Sequence, residues 1–357
     1  MDTTTRRSRT RSAVVVEGDV TIVPLREVLV TLAVPVSDLV TLVELAVGRP
    51  VIDTAALRRQ ASSQRRDLWS EVEFHLPNLP VLVARMRAAG TDDEAATRRF
   101  VRALAEVVAA LPLDPPTSLA KLAHDSAGDP HYFDLDRIAG ARLVCAVAER
   151  SAVPEPTRPD LVRALLAEVG ILADRLSSTI LLHQVRVVGD GPTDRRLRDA
   201  STPIPVTLLD LTVHPPTFAV QTLTVVENPS VLEAAMERKS PHAFACTSGQ
   251  LGSVDHALLQ LAADQGLTLR YAGDLDAAGL QIAQQVVTTY GATLVAMSAD
   301  VVRYAGADSS AVLFTSPPEW IGDDLYDAIR ATSRVVYQEH DAVLEQLIGP
   351  GEKPSVT

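Results

Sequence analysis

The sequence predicts an α/β protein: a small parallel sheet flanked by helices at the C-terminal end, preceded by a mostly helical N-terminal region and a winged-helix-like module. Three observations predict it. From about Thr217 onward, short apolar runs alternate with helical patterns across short links, as parallel strands crossed by helices require. Ahead of that point apolar residues recur at helical spacing, and between the two regions a pair of Leu-, Ile-, Val- and Thr-rich runs follows two helical patterns. The expected divisions are a disordered basic tail at 1–12, a helical arm domain at 13–115, a winged-helix-like linker domain at 116–216 and an α/β domain at 217–357.

Residues 1–12 hold Arg6, Arg7, Arg9 and Arg11 among Thr and Ser, with nothing apolar to bury except Met1. A solvated tail is expected there, with a DNA-grazing arm as the sharper alternative. The most apolar stretch, 25–47, is interrupted by Arg26, Glu27, Asp38 and Glu44, so it does not read as a membrane span. Across 92–111, Phe100, Val101, Leu104, Val107, Val108 and Leu111 mark one helix face until Pro112 stops the run. Arg98, Arg99 and Arg102 are interleaved and form the solvent face, or a DNA-lining one. Pro112, Pro115 and Pro116 make a boundary.

Helices are expected at 141–150 and 160–169, separated by the proline-rich 153–159, and strands at 179–188 and 206–213. The link between those strands carries Arg195, Arg196 and Arg198, either a solvated loop or a wing reaching for phosphates. Beyond 217 the pattern gives strands at 223–226, 243–246, 267–272 and 292–297, with helices at 231–238, 254–263 and 279–290. Ligands of such sheets bind beyond the carboxyl ends of the strands.

Charge is unevenly spread. Residues 1–216 carry 26 Lys and Arg against 28 Asp and Glu, whereas 217–357 carry 7 against 17. Any cations for DNA phosphates must come from the first part or from a partner, while the acidic part suits a divalent metal. Two cysteines, Cys145 and Cys246, both in apolar runs, offer no disulfide framework and read as core. A cytoplasmic protein is expected.

Chemistry concentrates at two strand ends. Glu227 directly follows the first parallel strand, with Asn228 suited to cap the next helix and Pro229 to begin it. Asp274 and Asp276 follow the third strand in Gly273-Asp274-Leu275-Asp276-Ala277-Ala278-Gly279, where the glycines permit a tight backbone. Alone, an Asp-x-Asp is usually structural, with capping by Asp276 the plain reading. Beside a Glu at the same sheet edge it makes a three-carboxylate constellation able to hold Mg²⁺. Thr247, Ser248 and Gly249 lie at the second strand end before a helix, as a turn or as a phosphate-binding loop. His131 with Asp134 reads as a structural hydrogen bond more readily than as a catalytic pair.

This order of motifs resembles the Toprim domain of primases, topoisomerases and related nucleases, and the Gly-Asp-x-Asp-x-x-Gly form resembles the type VI topoisomerase A subunit. Val226-Glu227-Asn228-Pro229-Ser230-Val231-Leu232, Cys246-Thr247-Ser248-Gly249-Gln250 and Tyr271 to Asp276 are similar to the JetD-like nuclease subunits of Wadjet anti-plasmid systems, as is the segment from Ala127 to Asp134. The similarity covers about 120–340. It implies a metal-dependent endonuclease that hydrolyses circular double-stranded DNA beside a condensin-like SMC ATPase, a kleisin and accessory subunits, with Glu227, Asp274 and Asp276 carrying Mg²⁺ or Mn²⁺. It also adds Glu339 as a further ligand, although spacing alone makes Glu339 an exposed helix residue. A homodimer is compatible with it. No Gly-x-x-x-x-Gly-Lys-Ser/Thr loop occurs in the chain, so ATP use would fall to partners.

Three other readings compete. A Toprim transesterase needs a tyrosine nucleophile, and Tyr132 is the only tyrosine before 217. A haloacid-dehalogenase-type phosphatase places its Asp-x-Asp after the first strand, not the third. A non-catalytic DNA-binding or assembly subunit would have no need of all three carboxylates.

Overall fold

A computed structural model describes residues 15–17, 20–22, 25–91, 93–305, 307–308, 322–332 and 334–349; the basic tail expected at 1–12 lies outside them. The chain divides into two compact units, Met1–Glu71 and Val72–Thr357. In the first, strands β1 (Val15–Glu17) and β2 (Val20–Ile22) pair antiparallel, and helices α1 (Leu25–Leu32), α2 (Leu39–Val47) and most of α3 (Thr54–His75) follow.

The second unit begins with α4 (Pro80–Ala89) and α5 (Glu94–Ala110). Helix α5 starts where the Asp93 carboxylate accepts the Ala96 N–H at 2.9 Å, and it buries Phe100, Val101, Leu104 and Val107 on one face. Its interleaved cations serve the fold: Arg98 pairs with Glu94 at 3.2 Å, and Arg99 donates to the Ala127 carbonyl at 2.9 Å. Strand β3 (Thr117–Ser118), α6 (Leu119–Ala127), α7 (Ile138–Arg150), α8 (Pro159–Glu168) and β4 (Ile171–Leu172) come next, with β3 and β4 paired in parallel. The helices expected at 141–150 and 160–169 are α7 and α8.

The remainder is built on a six-stranded sheet. Its strands are β5 (Thr179–His183), β6 (Ile204–Thr207), β7 (Thr222–Val226), β8 (Phe244–Cys246), β9 (Thr268–Ala272) and β10 (Thr293–Leu294), in the order β10-β9-β7-β8-β5-β6. The four strands from β10 to β8 are parallel; β5 and β6 extend the sheet antiparallel. The sheet is therefore mixed, and the expected two-stranded ribbon is not a separate wing, because β5 pairs with β8 as well as with β6. Strand 179–188 stops at His183, since Gln184 takes a left-handed φ of 55°.

The expected strand 206–213 is mostly helix. Thr207 ends β6 and caps α10 (Leu208–Val213): its hydroxyl accepts the Asp210 N–H at 3.1 Å, while the Asp210 carboxylate accepts the Thr207 N–H at 2.9 Å. The arginine-bearing link is likewise a helix, α9 (Pro192–Arg198). Helices α11 (Pro229–Glu237), α12 (Ser253–Asp264) and α13 (Ala277–Tyr290) form the crossovers, and strand 292–297 shortens to Thr293–Leu294. Helix α14 (Ala299–Ala305), β11 (Ala307–Asp308), α15 (Asp323–Thr332), β12 (Arg334–Val335) and α16 (Asp341–Ile348) complete the order, with β11 and β12 antiparallel.

Both faces of the central strands are covered, since the neighbours Thr224 and Val225 in β7 and Phe244 and Ala245 in β8 are all buried, although β7 and β9 carry polar Thr224 and Arg270. Chain order then dictates where a ligand can sit. From β7 the chain crosses to β8 on one side, and from β9 to β10 on the other. Strand order reverses between β7 and β9, which opens a crevice at their carboxyl ends.

Candidate active site

Glu227 and the Asp274–Asp276 turn stand at that crevice. Val226 pairs with Ala272, so both motifs leave the sheet at the same level. Beyond Glu227 the Asn228 side chain accepts the Ser230 N–H at 3.2 Å and Pro229 opens α11, which fixes the carboxylate at the strand end. Beyond Gly273, Leu275 is buried while the flanking aspartates are half-buried. Asp276 Oδ1 accepts the Gly279 N–H at 2.8 Å, capping α13. The plain capping role is thus present, and it uses only one oxygen of that carboxylate. Gly279 is required here: a Cβ would lie 2.1 Å from the Asp274 carbonyl oxygen.

The three carboxylates share one field. Burial pushes the Glu227 pKa up, and the charges of Asp274 and Asp276 push the same way, against a hydrogen bond from the Asp274 backbone. Asp274 is also raised, mainly by burial; the Gln338 N–H opposes this, while Glu339 and Asp276 reinforce it. Beneath them the Tyr271 hydroxyl is buried without a hydrogen-bond partner, and burial plus the charges of Glu227, Asp274 and Asp276 strongly raise its pKa. Glu227 Oε2 is likewise buried and unpartnered.

Among the described residues, no group of three or more His, Cys, Asp or Glu side chains is already drawn together closely enough to hold a metal ion. The donor chemistry nevertheless fits a hard divalent cation. The donors are all oxygens, they repel one another, and one of them is a buried carboxylate oxygen with nothing to satisfy it.

Glu339 belongs to a turn, not to the helix that its spacing suggested. Its carboxylate accepts from the Asn228 side-chain amide and from the Ser230 hydroxyl, the latter at 2.9 Å, and so joins this edge. Thr247, Ser248 and Gly249 follow β8, on the other flank of β7. The Thr247 N–H is taken by the Val226 carbonyl at 3.0 Å, and Ser248 and Gly249 adopt φ of 55° and 113°. Helix α12 begins only at Ser253, so these residues do not form its first turn. Arg196 pairs with Asp210 at 2.8 Å, Arg198 donates to the Gly189 carbonyl, and Arg195 is exposed on the same helix. His131 contacts Asp134 at 3.0 Å as an exposed local pair. Cys145 and Cys246 are buried and unpaired.

Sequence reasoning missed Gln338, Tyr271 and Asp255. Gln338 is buried and links both strand ends, and only its place beside Glu339 pointed to it. Asp255 is 4% exposed, accepts the Gly252 N–H at 2.7 Å through Oδ2, and leaves Oδ1 without a partner. Burial pushes its pKa up to about 7.

A folded-state pKa above the unfolded value means that the folded form binds the proton more tightly. Stability from this group is therefore full below about pH 4 and falls as pH rises to about 7, by a few kcal/mol as an order of magnitude. Asp255→Asn keeps an acceptor for Gly252 and cannot ionise. Denaturant unfolding at about pH 5 and about pH 8 should show a smaller loss of stability in the variant than in the parent. An equal loss would place the titration elsewhere.

Residues 9–187 match the family described as "Protein of unknown function N-terminus (DUF3323)", and residues 204–349 match "Protein of unknown function C-terminus (DUF2399)". The first of these matches covers half of the chain, which therefore belongs to the DUF3323 family. Among curated proteins there is no match. No helix among the described residues is long and apolar enough to cross a membrane.

Proposed function

We propose that this chain is a metal-dependent DNA endonuclease, the Toprim-type nuclease subunit of a condensin-like plasmid-defence complex. The observation that carries the reading is the set of carboxylates at the switch point, with Glu227 Oε2 buried and unpartnered at the end of β7, beside the β9 end that presents Asp274 and Asp276. A Glu after the first parallel strand, adjacent in space to an Asp-x-Asp after the third, is the Toprim arrangement. The pairing of the two family segments is one found in JetD-like proteins; on that resemblance the partners would be circular double-stranded DNA, an SMC ATPase, a kleisin and accessory subunits.

Glu227, Asp274 and Asp276 would hold Mg²⁺ or Mn²⁺, with Glu339 at the margin. The metal would supply an activated water and neutralise charge on the scissile phosphate. The protein's own groups prepare this chemistry. Glu227 would serve either as a ligand of the metal or, instead, as the base that takes a proton from water. Asp276 is fixed by its cap to Gly279, and the buried Leu275 holds the turn. The acidic C-terminal part repels DNA, so productive binding falls to other surfaces or to partners.

Transesterification is the second reading, and Tyr132 would have to be its nucleophile. Its ring lies under the Arg99 guanidinium, 5.2 Å from centroid to carbon, and edge-on to Phe133. Burial raises its pKa, which disfavours the phenolate. Hydrolysis is therefore expected: Tyr132→Phe should cut at the parental rate, and no protein should stay attached to end-labelled DNA after denaturation. A protease-sensitive slow band that vanishes in Tyr132→Phe would replace the nuclease with a break-forming enzyme.

A further inference from the structure

The two strand ends that bear the carboxylates belong to separate segments, and nothing in the sheet ladder reaches past Val226 and Ala272. Beyond that point they are joined by the hydrogen bond from the Asp274 backbone to the Glu227 carboxylate and by Gln338, brought in by the segment between β12 and α16. Its side-chain oxygen accepts the Asn228 N–H at 2.8 Å, on the Glu227 side. Its side-chain amide donates to the Ala272 carbonyl at 2.5 Å, on the aspartate side. Its backbone N–H donates to Asp274 Oδ1 at 2.9 Å. The residue is 1% exposed, so all three bonds are made out of water and in a fixed geometry. One turn further back, the Leu275 N–H donates to the Val336 carbonyl at 2.8 Å, and next in sequence Glu339 is tied to Asn228 and Ser230.

We infer that Gln338 is a positioning residue that clamps the Glu227 and Asp274 strand ends at the spacing a shared divalent cation needs. This rests on the nuclease reading above. Gln338 touches neither substrate nor the reacting atoms; its side chain acts through the backbone on either side of the site, while its own N–H holds Asp274 Oδ1. Without it the Asn228 N–H and the Ala272 carbonyl lose their partners, and two mutually repelling carboxylates lose the clip that opposes their separation. Outer partners of this kind typically alter metal affinity by about 10–100-fold when removed.

The test uses the full chain and Mn²⁺ alone, read by the loss of the free-ion spin-resonance signal, with unfolding in chelator as the fold control. Gln338→Met keeps length and burial but removes both side-chain bonds; Gln338→Glu keeps the acceptor for Asn228 and serves if the first variant does not fold. The expected result is Mn²⁺ affinity weakened about tenfold or more in folded protein, and cleavage of DNA that recovers as Mn²⁺ is raised. A merely structural role would lower Tm without moving the affinity. Parental affinity in a folded variant, or a cleavage loss that excess Mn²⁺ does not repair, overturns the clamp while the nuclease reading stands. A parent that binds no Mn²⁺ overturns both.

Discussion

Asp274→Asn should reduce DNA cleavage about 10³-fold or more while leaving the protein folded. The amide can still accept the Gln338 N–H through Oδ1, so the turn keeps its shape. What is lost is one negative charge among three that share a field with Glu227 and Asp276. Charge stabilisation by a metal is worth several kcal/mol, and about 4 kcal/mol corresponds to about 10³ in rate. In chelator the variant should unfold no earlier than the parent, because the burial and repulsion that raise the Asp274 pKa are relieved. Parental cutting by a folded Asp274→Asn protein would remove this carboxylate from the chemistry.

Gly279→Ala should damage stability and cleavage together. In an unconstrained helix this change stabilises by about 1 kcal/mol, so the sign here is decided by space. The added Cβ would stand 2.1 Å from the Asp274 carbonyl oxygen and 2.9 Å from its carbon. Those are backbone atoms, and they can yield only if the Asp274–Asp276 turn moves. Overpacking of this kind costs about 3 kcal/mol, roughly 6–12 °C in Tm for a domain of this size. A variant as stable and as active as the parent would mean that the turn is looser than the geometry requires. Gly273 faces a related limit, with a Cβ 2.6 Å from the Tyr271 hydroxyl.

What the sequence disclosed and what it withheld follow from the range of the interactions. The crossovers after β7 and β9 were legible because their signals are local: Asn228 and Pro229 start α11, Asp276 caps α13, and Gly291 ends it with a φ of 66°. Glu227, Asp274 and Asp276 could be placed at strand ends for the same reason. Their adjacency could not be read from periodicity, because it depends on β9 pairing with β7 and not with β8.

The ribbon at 179–213 was misread twice. Thr207-x-x-Asp210 is a helix start hidden inside a β-like composition, and the partner that draws β5 into the main sheet, β8, lies 61 to 65 positions away in the paired residues. Gln338 gave no signal of its own beyond its place beside Glu339. It meets Asn228 across 110 positions, and one buried glutamine beside a glutamate has no pattern to betray it.

The central claim is that the Glu227, Asp274 and Asp276 edge supports metal-dependent hydrolysis of DNA. The most direct measurement is cleavage of closed circular DNA by the purified chain, together with the proposed SMC-type partners and ATP, in Mg²⁺ or Mn²⁺ and again in chelator, for the parent and for Glu227→Gln. The account predicts linear DNA with protein-free ends in metal, and uncut DNA both in chelator and with the folded variant. Cutting that persists in chelator, or at the parental rate in Glu227→Gln, would contradict it.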